Sequence, residues 1–350
     1  MISAKNKLQI IIITFNRKKY LQRTLDIFLS ETSPVRDYDI MILDNCSNDD
    51  TYSVVKHFQK QHKNITYKKN NYNVGANANI AKAFEYNTKD YLWIVADDDT
   101  YDWSNWSEVE QAILANEKAI IVSRMDLPEK FKYNISKQLT QSAFVSAVIY
   151  SKDLLNDTVI KTIYDNVYCM FPHIIPLVNF INNHGTLYVV DKQIVKHGVY
   201  ENKTAEDVSW LRGYDKKFCS SRFVNMTFEG GFAIAISDLN DTNLKYQTMD
   251  ILIEYIDWRN GKRDIDSVIK QYINLSFIHN NFYNIMDFYC NMRTKYKKII
   301  IKYLLAFYLK FSLIKFKVKC LKLLLKISST KYKEKFDCKL KKYYNKYHIS

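Results

Sequence analysis

The chain has 350 residues, which is enough for one large domain or for a domain with a substantial extension. Hydrophobic residues make up 47% of it, whereas Gly (7) and Pro (4) are scarce, which excludes a fibrous or low-complexity protein. The net charge is +14, but residues 293–346 alone carry 18 Lys and Arg against two acids. Because the basic character belongs to the C-terminal tail, the charge does not indicate a nucleic-acid-binding protein.

The predicted elements alternate between short apolar strands and amphipathic helices. Strands are predicted at 9–13, 39–43, 65–67, 91–95 and 119–123. Between them, helices place apolar residues on one face; these are Leu21, Leu25, Phe28 and Leu29, then Val54, Val55 and Phe58, then Ile80, Ala83 and Phe84. This alternation predicts an α/β protein with a Rossmann-like, mainly parallel sheet flanked by helices.

We divide the chain into three parts. Residues 1–200 are predicted to form one domain, with a ligand-binding half at 1–123 and a second half at 124–200, and 201–292 to form a helical region. Residues 293–350 alternate apolar and basic side chains, which is typical of an amphipathic helix lying on an anionic membrane. A helix that packs on the domain is the alternative. No run of 18 uncharged apolar residues occurs, so we predict no transmembrane helix.

The six cysteines show no metal-binding spacing such as Cys-x-x-Cys, and no signal peptide precedes them. We therefore expect reduced thiols and a cytoplasmic location.

Polar side chains directly follow three of the predicted strands. Thr14 and Asn16 follow the first, Asp44 and Asn45 the second, and Asp97, Asp98 and Asp99 the fourth. Ligands of open α/β sheets bind outside the carboxyl ends of the strands. The sequence therefore predicts that these residues gather along one edge of the sheet.

The three adjacent aspartates indicate a metal site. Their mutual repulsion would raise their pKa values unless a cation or water compensates it. Mn²⁺ or Mg²⁺ suits such a group, because hard cations are held by one or two carboxylates together with substrate phosphates. A solvated loop or a helix N-cap that continues to Asp102 is the alternative.

Four motifs in a fixed order resemble the family 2 glycosyltransferases, which have the GT-A fold. They are IIIITFNR (10–17), ILDNCSNDDT (42–51), NVG (73–75) with Asn79, and LWIVADDD (92–99). The resemblance covers about the first 100 residues. It implies a GT-A-like sheet, which the predicted helical C-terminal region would follow. It also implies an enzyme that uses a nucleotide sugar and a divalent metal and inverts the anomeric carbon.

The resemblance also implies roles for individual residues. Thr14, Asn16 and Arg17 would line the nucleotide pocket, Asp44 and Asn45 would read the base, and Asn73, Gly75 and Asn79 would belong to the nucleotide-sugar site. Asp97 would contact ribose or metal, with Asp98 and Asp99 as the main metal ligands. The chain has Ile13 where the family often has Pro, and Asn45-Cys46 where it commonly has Asp-Gly, which leaves uracil and thymine both open.

The catalytic base is less clearly marked. Where the family often has an acid at the start of a helix, this chain has Pro172-His173, so His173 is the first candidate. Glu206 and Asp207 are the competing candidates, and Asp153 is a weaker one. His197 would complete metal or diphosphate binding. For both histidines, a purely structural role is the alternative.

Together these features predict an inverting transferase that moves a sugar from a UDP- or dTDP-sugar to a hydroxyl of a lipid-linked or surface glycan. We expect it at the inner face of the cytoplasmic membrane, with no nucleic-acid partner. A degenerate sugar-nucleotide-binding protein or a membrane-peripheral scaffold is one alternative. A nucleotidyltransferase is another, although the Gly-rich phosphate loop that it usually needs is not found near Asn16.

Overall fold

The computed structural model describes residues 3–122, 134–196 and 228–249, with short pieces at 251, 301, 305, 321–322, 325, 333 and 336–341. The chain divides into two compact units, Met1–Tyr255 and Ile256–Ser350. The described pieces of the second unit are helical. None of the helices among the described residues has the length and apolar character that crossing a bilayer requires.

Four parallel strands form the first half of the central sheet. They are β1 (Leu8–Thr14), β2 (Asp39–Asp44), β3 (Ile65–Lys69) and β4 (Tyr91–Ala96), in the spatial order β3-β2-β1-β4. A short strand β5 (Thr100–Tyr101) follows β4. Strand β1 therefore lies in the middle, with β2 on one side and β4 on the other. This arrangement places the carboxyl ends of all four strands at the same edge.

The second half of the sheet is mixed. Strands β6 (Ala119–Ile121), β7 (Val148–Ser151) and β8 (Tyr188–Val189) extend it to seven strands. Strand β7 runs antiparallel to both β4 and β6, whereas β8 is parallel to β6. A separate two-stranded sheet pairs β5 with β9 (Val195–Lys196). The predicted mainly parallel sheet is confirmed.

Helices cover both faces of the sheet. They are α1 (Ala4–Lys7), α2 (Lys18–Phe28), α3 (Thr51–Gln59), α4 (Ala76–Tyr86), α5 (Trp106–Leu114), α6 (Ile135–Gln141), α7 (Asp157–Asp165), α8 (Ile175–Asn182) and α9 (Phe228–Ala235). Residues of α2, α3 and α5 pack with Ile10 and Ile12 in one cluster. Ile11 between them points to the opposite face, because side chains alternate along a strand.

Burial of both sheet faces explains why the parallel strands are almost continuously apolar. Leu8, Ile10, Ile11 and Ile12 have no accessible surface, and neither do the residues from Leu92 to Val95. The helix face predicted from Leu21, Leu25 and Phe28 is also fully buried, as its spacing indicated. The strand starts at 39, 65, 91 and 119 agree with the structure, and the ends differ by two residues or fewer.

Candidate active site

The carboxyl ends of β1, β2 and β4 meet through direct hydrogen bonds. Thr14 Oγ1 donates to Asp97 Oδ2 at 2.6 Å, and the backbone N–H of Asn45 donates to the backbone carbonyl of Thr14 at 2.9 Å. In the loop after β1, the backbone N–H of Asn16 donates to Ser47 Oγ at 2.8 Å. Residues that are up to 83 positions apart in the chain thus form one continuous polar edge.

All three aspartates are nearly inaccessible, at 2% exposure for Asp97, 9% for Asp98 and 1% for Asp99. Arg17 bridges the first two: its Nη1 lies 2.9 Å from Asp97 Oδ1 and its Nη2 lies 2.6 Å from Asp98 Oδ2. Buried carboxylates are costly unless they are paired and hydrogen-bonded, and Arg17 supplies the opposite charge. The three aspartates are therefore buried, with Asp97 and Asp98 paired to Arg17, and they do not form a solvated turn.

The charges in this cluster influence one another. Burial raises the pKa of Asp97, the Arg17 charge acts against that rise, and the neighbouring Asp98 adds to it. Burial alone would lower the pKa of Arg17, but Asp97 and Asp98 reverse this effect and raise it above its ordinary value. Arg17 therefore stays cationic, and its charge favours the ionised form of Asp97.

Asp99 is positioned by a residue that the sequence did not identify. Ser146 Oγ donates to Asp99 Oδ2 at 2.5 Å and accepts a hydrogen bond from the Ala96 amide at 2.9 Å. The Ser146 carbonyl in turn accepts from the Trp93 indole at 2.9 Å. Ser146 has no accessible surface. No sequence pattern marks this serine, because its partner precedes it by 47 residues.

Hydrogen bonds to the Asp44 side chain stabilise the turn after β2. The Asp44 carboxylate accepts hydrogen bonds from the Ser47 amide at 2.8 Å and from the Tyr67 hydroxyl at 2.5 Å, and it is fully buried. Cys46 has φ +70°, a left-handed conformation that glycine adopts more readily. This backbone requirement explains why the resembling family commonly has Gly at the equivalent position.

Asn45 is also engaged with protein groups. Its Nδ2 donates to Asn73 Oδ1 at 2.8 Å, and its Oδ1 accepts from Asn70 Nδ2 at 3.1 Å and from the Val74 amide at 3.0 Å. Asn70 Nδ2 also donates to Asn79 Oδ1 at 2.8 Å. These amides, which we call the asparagine network (Asn45, Asn70, Asn73 and Asn79), tie the turn after β2 to the loop before α4. Asn70 follows β3 directly, so its position at a strand end is a signal that could have identified it.

Gly75 ends that loop and precedes α4. Its φ of +84° and ψ of 156° lie in a region that is essentially restricted to glycine. The backbone at this turn therefore requires glycine. Asn73 and Gly75 are exposed at the edge of the sheet, whereas Asn79 is buried and acts inside the asparagine network.

His173 lies in the protein interior. It is 2% exposed, and its Nε2 lies 3.0 Å from the Ser142 carbonyl and 3.3 Å from the Ala143 carbonyl. Two carbonyl partners require Nε2 to carry the proton, so the remaining lone pair is on the buried Nδ1, which has no hydrogen-bond partner among the described residues. Burial lowers the pKa of His173 to about 4. This geometry supports a structural role and does not support His173 as the base.

The structure also places the weaker candidate Asp153 away from the aspartates. Because β7 is antiparallel to β4, its last residue Ser151 pairs with Tyr91 at the start of β4. Asp153 therefore lies at the opposite edge of the sheet, where it forms an exposed ion pair with Lys118. The other predicted residues His197, Glu206 and Asp207 lie outside the described residues.

The donor set of Asp97, Asp98 and Asp99 suits a hard cation, because carboxylate oxygens are the ligands that Mg²⁺ and Mn²⁺ prefer. Within the described part of the chain, however, no three carboxylate, imidazole or thiolate groups converge as around a bound ion. A cation here would take one or two aspartate oxygens and complete its shell with phosphate oxygens and water, as Mg²⁺ usually does.

Known proteins of the glycosyltransferase class are similar to this chain in sequence and in fold. The model for glycosyl transferase family 2 matches residues 9–175. The chain is 33% identical to the Campylobacter jejuni GalNAc(5)-diNAcBac-PP-undecaprenol beta-1,3-glucosyltransferase over 94 residues. This stretch covers 27% of this chain and 30% of that protein. The chain is also 32% identical to abequosyltransferase RfbV of Salmonella typhimurium over 89 residues, a stretch that covers 25% of this chain and 27% of that protein. The matched stretches thus span less than a third of either relative.

A solved structure is similar over most of the chain. It is S. aureus TarS 1-349 in complex with UDP-GlcNAc, with a TM-score of 0.56 and 15% identity over 85% of this chain and 90% of that one. At this identity the likeness shows the fold alone. The sheet with its flanking helices therefore has the GT-A-like fold that the sequence indicated.

The burial of His173 predicts a measurable acid sensitivity. Its pKa is lower in the folded chain, at about 4, than the ordinary 6.5, so the unfolded chain binds the proton first as the pH falls. Its contribution to stability is thus complete above about pH 6.5 and is lost between there and pH 4. We expect the wild type to lose about 3 kcal/mol more free energy of unfolding than His173→Gln from pH 7.5 to 4.

Urea denaturation at several pH values measures this difference. His57→Gln is the matched control, because His57 is exposed, and its pH dependence should follow that of the wild type. Parallel curves for the wild type and His173→Gln would contradict the buried, neutral state of His173.

Proposed function

We propose that this chain, which belongs to glycosyl transferase family 2 through its residues 9–175, transfers a sugar from a nucleotide-diphosphate sugar to a hydroxyl of a glycan. The observation that carries the proposal is the meeting of the strand ends. Thr14 and Arg17 of the first strand end contact Asp97 and Asp98 of the fourth directly. This edge is where α/β sheets bind their ligands.

The nucleotide would lie on the turns after β1 and β2. Asp44 and Asn45 are engaged in forming the second turn, so we assign them to shaping the base pocket and not to side-chain readout. Asn16 is exposed on the first turn, and its Oδ1 accepts from the Asn48 amide at 2.8 Å. UDP- and dTDP-sugars are the proposed donors. The N-terminus of α4 after Gly75 would offer backbone amides to the diphosphate.

Mn²⁺ or Mg²⁺ is the proposed cofactor, held by Asp98 and Asp99 with Asp97 beside them. When bound, such an ion neutralises the charge that develops on the departing nucleoside diphosphate. Ser146 holds Asp99 in place through its hydroxyl, and Thr14 does the same for Asp97. His197 stays a candidate for the same site.

The acceptor hydroxyl needs a base as it attacks the anomeric carbon, with inversion of configuration. His173 has its ring engaged in the interior, so we propose Glu206 or Asp207 for this role. A carboxylate at either position would take the proton while the bond to the diphosphate breaks.

A lipid-linked or surface glycan is the proposed acceptor. The Campylobacter relative carries an undecaprenol-diphosphate acceptor in its name. A basic tail that lies on the inner face of the cytoplasmic membrane would hold the enzyme beside such an acceptor. Lysines recur among apolar residues throughout it, at Lys302, Lys310, Lys315, Lys317, Lys319, Lys322 and Lys326.

Replacing one aspartate tests the donor site. We expect UDP- or dTDP-sugar to raise the melting temperature of the wild type in the presence of Mn²⁺, and we expect Asp99→Asn to abolish that shift. Turnover in the variant should fall by about 100-fold or more, because one electrostatic contact to the transition state is lost. Asn keeps an oxygen that can accept from Ser146, so the fold should survive.

Release of nucleoside diphosphate on addition of a glycan acceptor measures turnover. Asp37→Asn is the control, since Asp37 is exposed and pairs only loosely with Lys5 at 3.7 Å. Full activity in Asp99→Asn would refute the proposed site. Donor binding without release would favour a degenerate binding protein, and release of pyrophosphate would favour a nucleotidyltransferase.

Vesicle sedimentation tests the tail. Each lysine near an anionic surface contributes about 1 kcal/mol, so changing Lys315, Lys317 and Lys319 together to Gln should weaken binding to phosphatidylserine vesicles by about 100-fold. Neutral vesicles should bind neither protein strongly. Equal binding of both proteins to anionic vesicles would contradict the membrane role.

A further inference from the structure

Arg17 is fixed in place between two of the aspartates. Its two terminal nitrogens contact Asp97 and Asp98, and its guanidinium lies over the Tyr20 ring, 4.5 Å from the ring centre. Only 15% of the side chain is exposed. Its Nε is buried and finds no hydrogen-bond acceptor among the described residues. The guanidinium is thus an ordered part of the site before any ligand arrives.

This placement conflicts with a divalent ion at the same carboxylates. The guanidinium is always charged in proteins, and it occupies Asp98 Oδ2, an oxygen that an ion would use. An ion that approaches alone would meet both a fixed positive charge and a carboxylate that is already neutralised. A diphosphate changes this balance, because its oxygens attract both the ion and the guanidinium.

We propose that Arg17 is an internal counter-ion that makes cation binding at Asp97–Asp99 depend on the nucleoside diphosphate. The inference rests on the proposed function and deepens it. Arg17 pairs with Asp97 and Asp98 in the ligand-free protein, and the diphosphate gives it a further partner when the donor binds. The ion and the nucleotide then bind together, and each increases the affinity of the site for the other.

Arg17 is therefore a positioning residue whose effect is seen in binding and not only in turnover. Without the guanidinium charge, the free ion would no longer be repelled at Asp97 and Asp98. Removing the Arg17 charge should therefore also make ion binding depend less on the nucleotide. Arg17→Gln removes the charge and keeps a side-chain hydrogen-bond donor, so it isolates the electrostatic effect.

The test measures Mn²⁺ binding to the full chain from the loss of the free-ion paramagnetic resonance signal, with and without UDP or dTDP. In the wild type, we expect the nucleotide to tighten Mn²⁺ binding by about tenfold or more. In Arg17→Gln, binding of Mn²⁺ alone should tighten by about tenfold, and the effect of the nucleotide should shrink. Lys18→Gln is the matched control, because Lys18 is the next residue and pairs with exposed Asp50.

Two results would overturn the inference. One is unchanged or weaker binding of Mn²⁺ alone to a folded Arg17→Gln, with Lys18→Gln equal to the wild type. The other is independent binding of Mn²⁺ and nucleotide to the wild type, which needs no variant and so decides the matter even if Arg17→Gln does not fold. Metal-dependent turnover in either case would leave the proposed transfer intact.

Discussion

Burial of three consecutive carboxylates at the end of β4 is the constraint on which the site depends. Each of them must find a compensating partner, and the partners come from two other parts of the chain. Thr14 ends the central strand β1 and Arg17 lies in the loop after it, whereas Ser146 comes from the segment before β7. Because all three must be in place together, the aspartates fix the relative positions of the strand ends. The same contacts that stabilise the fold therefore also preform the proposed donor site.

The turns beside the aspartates contain buried residues that stabilise the loops and exposed residues that a ligand can contact. Asp44, Asn45 and Asn79 are engaged inside the protein, where they hold the turn after β2 and the loop before α4 in fixed conformations. Lys82 joins this arrangement by donating to Asn70 Oδ1 at 3.0 Å. The exposed residues Asn16, Asn73 and Gly75 line the edge that a ligand can reach. A site built in this way is rigid before binding, which reduces the entropy lost on association.

The sequence predicted well which polar residues follow the strands and gather at their carboxyl ends. It predicted poorly which side chains contact those residues. Strand ends could be found because buried parallel strands are short apolar runs, and because parallel strands place their ends together. Ser146 could not be found, since its contact with Asp99 depends on how the chain returns antiparallel beside β4. His173 was predicted as a base from its place in the sequence, but tertiary packing buries it against two carbonyls. Local patterns thus identify which residues follow strands, whereas the long-range contacts need the fold.

A crystal structure of the full chain with Mn²⁺ and a UDP- or dTDP-sugar would test whether the strand ends form the donor site. We expect an anomalous peak for the ion within about 2.5 Å of an oxygen of Asp98 or Asp99. We also expect phosphate oxygens in the same coordination shell and the nucleoside on the turns that follow β1 and β2. A nucleotide bound away from these strand ends, or an ion that contacts none of the three aspartates, would contradict the proposed donor site.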